Sequence, residues 1–157
     1  MILNFLVENL KQSFVDNVLR ERVRPAVGGI VYCELAFAVE HSGIYVGNSR
    51  IVHLDGDGII ESVSPQRFLD RLDGFNSAIS IYVSCRDGIA VGSSLAAHRA
   101  KQQVGNRVDY NVALNNCHKF SAGCLTGNFD NYELLFSALK QKAIELLDVN
   151  EWRVADL

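Results

Sequence analysis

The feature that most constrains the fold is a run of short apolar segments, separated by glycine, asparagine and aspartate, between residues 29 and 62. These segments are rich in Ile, Val and Tyr, which favour strands. They are Ile30–Tyr32, Ile44–Val46, Ile51–Leu54 and Ile59–Ile60. The joints between them, Gly47-Asn48 and Asp55-Gly56-Asp57-Gly58, supply the positive φ angles that tight hairpin turns require. The spacing therefore predicts an antiparallel meander.

Helical signals follow this meander. Ser64-Pro65 is a typical N-cap with proline at the first helical position, and it predicts a short helix that ends at Leu72. The other predicted elements are a strand over residues 78–83 and helices over residues 94–103, 115–125 and 132–147. A block of strands followed by helices is α+β, with a small antiparallel sheet or open barrel packed against helices.

Domain organisation follows from length and periodicity. The 157 residues fit one domain. We predict an amphipathic helix within residues 1–24, a core over residues 28–128 and a helical extension over residues 130–157. Two interpretations of the first helix remain open, since its apolar stripe suits packing on the core and also peripheral contact with a membrane surface.

Composition excludes several classes of protein. The net charge is −3, without the basic excess that binding to nucleic acid usually needs. No apolar run reaches the roughly 18 residues of a membrane span, and the N-terminus lacks the basic region of a secretory signal. These features predict a cytoplasmic protein. No CxxC pair occurs, so a zinc ribbon is unsupported and we expect no cofactor.

Cys117 is the candidate nucleophile. Asn115 or Asn116 is a good N-cap, which puts Cys117 in the first turn of the following helix. The positive end of a helix favours a thiolate, and its N–H groups suit a developing oxyanion. Cys33 and Cys85 lie in apolar strand contexts and are predicted to be packing residues. Cys124, two turns after Cys117, is predicted to be a core residue, with a role as a resolving thiol left open.

His41 and His53 are the candidate partners of the thiol. They lie 12 residues apart on either side of the turn near Gly47, and because both numbers are odd they share a face of the hairpin. One imidazole then acts as a base and the second orients it. Two other interpretations stay open: buried histidines satisfied by backbone groups, and a zinc site with Cys117. His118 is predicted to be a rim residue, since adjacent side chains on a helix do not face each other.

These residues resemble a known family. Glu40-His41-Ser42-Gly43-Ile44-Tyr45-Val46-Gly47, then Ile51-Val52-His53-Leu54, and later Asn116-Cys117-His118-Lys119-Phe120 are similar, in order and spacing, to the motifs of the lecithin:retinol acyltransferase (LRAT) family. That family is a circularly permuted branch of the NlpC-type papain-like hydrolases. The resemblance spans residues 28–128.

The resemblance implies both a fold and a reaction. It implies a permuted papain-like sheet that carries His41 and His53, facing a helix whose start presents Cys117. Cys117 would be the nucleophile, His41 the base and acid, and His53 the third member, with no metal. The implied reaction is acyl transfer or hydrolysis through a thioester, on a small-molecule or lipid acyl substrate.

Two alternatives remain open on function. The first is an amidase or peptidase that acts on peptides or on substrates derived from the cell wall. The second is a non-catalytic binding module that keeps the fold. Neither the donor and acceptor nor the oligomeric state follows from the sequence.

Overall fold

The computed structural model of the protein describes residues 21–35, 39–70, 80–111 and 116–157, together with Asn4, Val7, Glu8 and Lys11. Within these ranges a seven-stranded sheet packs against four helices, which confirms the α+β prediction. The strands are β1 (Ile30–Leu35), β2 (Val39–Gly47), β3 (Arg50–Leu54), β4 (Ile60–Val63), β5 (Tyr82–Arg86), β6 (Ile89–Ala90) and β7 (Glu151–Val154). The helices are α1 (Pro65–Leu69), α2 (Ser94–Gln103), α3 (Cys117–Thr126) and α4 (Phe136–Leu147). The predicted N-terminal helix lies almost entirely outside the described residues.

The predicted meander forms the body of the sheet. Strands β4, β3, β2, β1 and β5 follow one another as antiparallel neighbours, and β6 and β7 both pair with β5. Asn48 and Ser49 join β2 to β3 with φ angles of 51° and 52°, the positive values that a two-residue hairpin turn needs. A register shift between Tyr45 and Gly47 accompanies this turn, and the regular pairing beyond it joins Ile44 to Val52.

The next hairpin is fixed by an aspartate. The Asp55 carboxylate accepts hydrogen bonds from the backbone N–H groups of Asp57 (2.9 Å) and Ile59 (2.8 Å). Such a local side-chain bond stabilises the turn and thereby sets the register of the strands on either side. In that register His53 of β3 lies directly opposite Glu61 of β4.

The sheet is covered on both faces. Helices α2, α3 and α4 bury small and apolar side chains against one face, which carries Ile44, Val52 and Leu54. The opposite face carries Tyr45 and Ile51 and is covered by Phe68 of α1. Because strand side chains alternate between faces, neighbouring residues on β2 belong to different environments.

The C-terminal segment differs from the prediction. Residues 130–157 were expected to be helical, but α4 begins only at Phe136 and Glu151–Val154 form strand β7. Asp148, with a φ of 53°, ends the helix, and the chain then pairs with β5. Trp152 of β7 packs edge-on against Tyr32, with ring centroids 5.3 Å apart. Strand β7 has no local signal, because its hydrogen-bonding partner β5 lies far away along the chain.

The remaining boundaries differ by a few residues. Helix α1 starts at the predicted Ser64 cap but ends at Leu69, and β5 runs from Tyr82 to Arg86 rather than over residues 78–83. Helix α2 matches its predicted bounds, with the Ser93 hydroxyl accepting from the Ala96 N–H. Residues 78 and 79 lie outside the described residues.

Candidate active site

Two buried imidazoles form the centre of the candidate site. The Nε2 atom of His41 lies 2.7 Å from the Nδ1 atom of His53, and each residue is only 1% exposed. The two therefore share one face of the hairpin, as the odd spacing predicted. Continuing the Ile44–Val52 register sets His53 beside Gly43, so His41 is its diagonal neighbour rather than its direct partner. Diagonal neighbours of this length remain within contact distance.

A fully buried aromatic ring covers this pair. Phe68 of α1 has its ring centroid 4.9 Å from that of His41 and 5.6 Å from that of His53. Gly43 makes room for it, because a Cβ at that position would lie 3.2 Å from the ring and 2.8 Å from the Ile51 side chain. The Ser64-Pro65 start positions α1 directly after β4 and so sets the ring over the imidazoles.

A carboxylate completes this group of side chains. Glu61 Oε1 lies 3.1 Å from His53 Nε2, while the Glu61 side chain is 34% exposed. Glu61 was not among the site residues predicted from the sequence. The signal was present, because residues 53 and 61 are both odd and the loop from Asp55 to Gly58 lies midway between them, which indicates a shared face.

Cys117 lies where the sequence predicted, at the start of helix α3. Asn116 is the N-cap, and its side-chain oxygen accepts from the N–H groups of His118 (3.0 Å) and Lys119 (3.1 Å). Its amide also donates to the Leu134 carbonyl (2.8 Å), which ties the helix start to the segment before α4. Those two first-turn N–H groups therefore serve the cap, and the expectation that N–H groups of the helix start hold an oxyanion stays a prediction. The positive end of the helix remains beside the sulfur.

His118 is not the rim residue that was predicted. It is buried, and its Nδ1 lies 2.9 Å from the Ser42 hydroxyl and 3.8 Å from the sulfur of Cys117. Ser42 also contacts the Ser121 hydroxyl at 3.0 Å, so both serines are part of one buried network. The helix start approaches the sheet closely enough for α3 to enclose a side chain that sequence spacing alone placed at the edge.

The Ser42–His118 contact connects the two halves of the site. Ser42 follows His41 on β2, and His118 follows Cys117 on α3. The first turn of α3 therefore lies over the beginning of β2, and Cys117 and His41 are at the same end of the sheet.

The other three cysteines have the environments expected of packing residues. Cys33, Cys85 and Cys124 are fully buried. Burial raises the pKa of the Cys124 thiol far above its ordinary value, and the nearby Arg99 opposes this only weakly. Burial, with a smaller contribution from Glu151, also raises the pKa of Cys85. Both groups are therefore neutral thiols at pH 7, which makes them poor nucleophiles.

An apolar cavity of about 140 Å³ lies one turn along α3 from Cys117. Its walls combine residues of β3, β4, α2, α3 and the neighbouring loops, with two polar side chains among them. The lining consists of Leu54, Ile60, Gln103, Val108, Lys119, Phe120 and Phe129.

The part of the chain that the structure describes contains neither a metal-binding cluster nor a helix that could span a membrane. There, no three His, Cys, Asp or Glu side chains are arranged to hold a metal ion. None of the helices described combines the length and the apolarity needed to cross a bilayer.

Comparison with known proteins supports the family resemblance. No match was found among curated proteins. The sequence profile of the lecithin retinol acyltransferase family matches residues 23–130, which is more than half of the chain and includes both histidines, Glu61 and Cys117. On this match, together with the α+β fold and the buried imidazole pair, the chain belongs to the lecithin retinol acyltransferase family.

Proposed function

We propose that the protein is a cysteine-dependent acyltransferase or hydrolase that forms a thioester between Cys117 and the acyl group of its substrate. The family supplies the reaction class, acyl transfer. The observation that carries the proposal is the 2.7 Å contact between the buried imidazoles of His41 and His53, at the end of the sheet over which α3 begins. An imidazole held by a second imidazole, at the same end of the sheet as a thiol on a helix start, can act as the base that makes this thiol a nucleophile.

The roles follow from which ring atoms are already engaged. Nε2 of His41 is hydrogen-bonded to His53, so Nδ1 is the atom that receives the proton of the thiol. Sulfur then attacks the carbonyl carbon of an ester, and the same Nδ1–H later protonates the departing alkoxide. Water or an acceptor hydroxyl attacks the thioester in the second half of the reaction, giving hydrolysis or transfer.

His118 is the competing candidate for the base. Its Nδ1 lies 3.8 Å from the Cys117 sulfur, a longer contact than the 2.9 Å that joins the same atom to the Ser42 hydroxyl. If the serine donates, the lone pair of Nδ1 is used; if Nδ1 donates, it has no lone pair to offer. In either case the shorter contact makes this nitrogen a weaker base, and we assign His118 to holding the helix start on the sheet.

The cavity beside α3 favours an apolar acyl chain over a peptide. Five of its seven lining residues are apolar, and Phe120 and Lys119 connect it to the turn that begins with Cys117. A short hydrocarbon chain gains free energy from burial there, of about 25 cal/mol for each Å² of apolar surface removed from water. A peptide backbone would bury polar groups with few partners.

Intact-mass spectrometry tests this function directly. The protein is incubated with p-nitrophenyl hexanoate, and we expect a single hexanoyl adduct that disappears in Cys117→Ala. Cys124→Ala is the matched control, since Cys124 lies on the same helix and is also buried. An adduct that persists in Cys117→Ala and is lost in Cys124→Ala would reject the assignment of the nucleophile.

A second arm of the same experiment addresses the alternatives. A peptide p-nitroanilide replaces the ester, and an acyl-enzyme that forms from the peptide but not from the ester would favour an amidase. If neither probe reacts and Cys117 is alkylated by iodoacetamide no faster than a free cysteine, the protein is a binding module instead.

A further inference from the structure

Three side chains form a continuous line of hydrogen bonds across strands β2, β3 and β4. His41 Nε2 contacts His53 Nδ1 at 2.7 Å, and His53 Nε2 contacts Glu61 Oε1 at 3.1 Å. The two imidazoles are almost fully buried, whereas the Glu61 side chain remains one-third exposed. The inner end of the line is thus dry and the outer end reaches water.

An ionised carboxylate at one end fixes every proton along the line. A carboxylate only accepts hydrogen bonds, so Nε2 of His53 must carry the proton. In a neutral imidazole the other nitrogen is then unprotonated, so Nδ1 of His53 accepts from Nε2–H of His41. By the same rule, Nδ1 of a neutral His41 carries no proton. The reverse order would point the lone pair of His53 Nε2 at the carboxylate.

We propose that Glu61 is a positioning residue, which holds both histidines in the Nε2–H tautomer and so presents the unprotonated Nδ1 of His41 to the thiol. This inference rests on the proposed function, in which that nitrogen takes the proton of Cys117. Glu61 touches neither the substrate nor the sulfur in this scheme and acts only through His53.

The same arrangement serves the charged stage of the reaction. When the thiol proton moves to Nδ1 of His41, the ring becomes a cation that still donates through Nε2 to His53. The Glu61 carboxylate stabilises this positive charge across the intervening ring, and no proton has to move on to His53 or to Glu61. The proton count of the line therefore changes by one, at a single atom.

Its position in the fold makes Glu61 well suited to this role. His53 and Glu61 are direct cross-strand partners, and the Asp55 side chain sets that register through its two backbone hydrogen bonds. Cross-strand partners on one face hold their side chains close without further support. The carboxylate is therefore aimed at Nε2 by the hairpin itself.

Imidazole ¹⁵N NMR of the resting protein tests the proton order without any substrate. Signals are assigned with His41→Gln and His53→Gln, and we expect both rings of the wild type as Nε2–H tautomers. In Glu61→Ala the acceptor is gone, so both rings become tautomer mixtures. In Glu61→Gln the amide can donate as well as accept, so both proton orders are allowed and we expect a tautomer mixture there too. Glu40→Gln is the matched control, because Glu40 is next to His41 on β2 but on the other face, and it leaves the tautomers unchanged.

The rate of acyl-enzyme formation from p-nitrophenyl hexanoate gives the second readout. Orienting partners of metal-bound histidines contribute about 10- to 100-fold. We expect both Glu61→Ala and Glu61→Gln to lose about tenfold in kcat, at the lower end because the carboxylate is partly exposed, with KM unchanged.

Two results would overturn the role of Glu61: an Nδ1–H tautomer in the wild type, or unaltered tautomers in Glu61→Ala. So would a Glu61→Gln protein that keeps the wild-type tautomers, because an amide that can donate and accept does not fix the proton order. Failure of the proposed function is distinguishable, since it appears as labelling that survives in Cys117→Ala whatever the tautomers are.

Discussion

The two faces of strand β2 carry two buried histidine networks that differ in how they end. On the α1 face, His41 contacts His53, and this line ends at the carboxylate of Glu61. On the α3 face, His118 contacts Ser42, which in turn contacts Ser121. A carboxylate accepts only, whereas a hydroxyl both donates and accepts. The first network therefore has one order of protons and the second has two.

This difference teaches that burial and proximity alone do not make a general base. His118 is next to Cys117 in the sequence, and its Nδ1 lies 3.8 Å from the sulfur, yet its proton position depends on which way the Ser42 hydroxyl turns. In the network of His41, an ionised Glu61 carboxylate allows only one order of protons. An imidazole becomes a dependable base when something outside it fixes which nitrogen is unprotonated.

Replacing His41 and His118 in turn by glutamine tests most directly which of the two networks supplies the base. We expect His41→Gln to slow acyl-enzyme formation from p-nitrophenyl hexanoate by about 10²- to 10⁴-fold, the usual contribution of a general base. We expect His118→Gln to slow it by less than about tenfold, because that ring only holds the helix start. The opposite ranking, measured by stopped-flow release of nitrophenolate, would transfer the role of base to His118.

Removing the ring that covers the first network has the largest expected effect on stability. Phe68 is fully buried against both imidazoles, so Phe68→Ala should lower the free energy of unfolding by about 3–5 kcal/mol in urea titrations. Leu95→Ala on α2 is the control, since Leu95 is 60% exposed and its loss should cost under about 0.5 kcal/mol. Equal effects of the two changes would show that Phe68 does not pack the site.

Removal of the Ser42 hydroxyl should lower stability but leave the reaction rate nearly unchanged. Ser42→Ala removes the buried hydroxyl that contacts His118 and Ser121, and should cost about 1–3 kcal/mol of unfolding free energy, the range for a buried hydrogen-bonding group. Because the His41 line is on the other face, acyl-enzyme formation should change by less than about threefold, which corresponds to about 0.7 kcal/mol. A large loss of rate with unchanged stability would contradict this separation of roles.

The smallest expected effect is the pH dependence of the unfolding free energy that the buried thiol of Cys124 causes. The folded pKa of Cys124 is raised above the ordinary 9.0, so above pH 9 the unfolded thiol ionises while the folded one does not. Stability is therefore retained below pH 9 and falls as the pH rises further, by about 0.8 kcal/mol at pH 9.5 for this thiol. Urea titrations at pH 8 and pH 9.5 measure it.

A variant isolates that contribution. The cavity left by Cys124→Ala lowers the unfolding free energy equally at both pH values. The decrease in unfolding free energy from pH 8 to pH 9.5 should therefore be smaller in this variant than in the wild type, by the contribution of the Cys124 thiol. An undiminished loss would mean that other groups, such as the buried thiol of Cys85, account for the alkaline instability.

Most of the meander and the helix starts could be predicted because their signals are local. Asn48, Asp55, Ser64, Ser93 and Asn116 each act within a few residues, and each occurs at the turn or cap that its chemistry favours. Strand β7 and the boundaries of α4 could not be predicted, since β5 supplies the pairing and lies about 70 residues away along the chain.

The candidate site divides in the same way. The common face of His41 and His53 followed from the parity of their numbers, and the place of Cys117 followed from the Asn116 cap. Phe68, Ser42 and the burial of His118 depend on which helix covers which face, and no spacing in the sequence reveals that.

The sequence by itself determined the α+β class, the hairpin that brings two imidazoles together and the helix that begins at Cys117, because hairpin turns, caps and side-chain alternation depend only on nearby residues. The tertiary structure alone decided that α3 encloses His118 against Ser42 and that Phe68 covers the imidazoles. It also decided that Glu61 remains in contact with both His53 and water. Burial and the direction of a hydrogen bond are properties of packed surfaces, and these exist only once distant segments have come together.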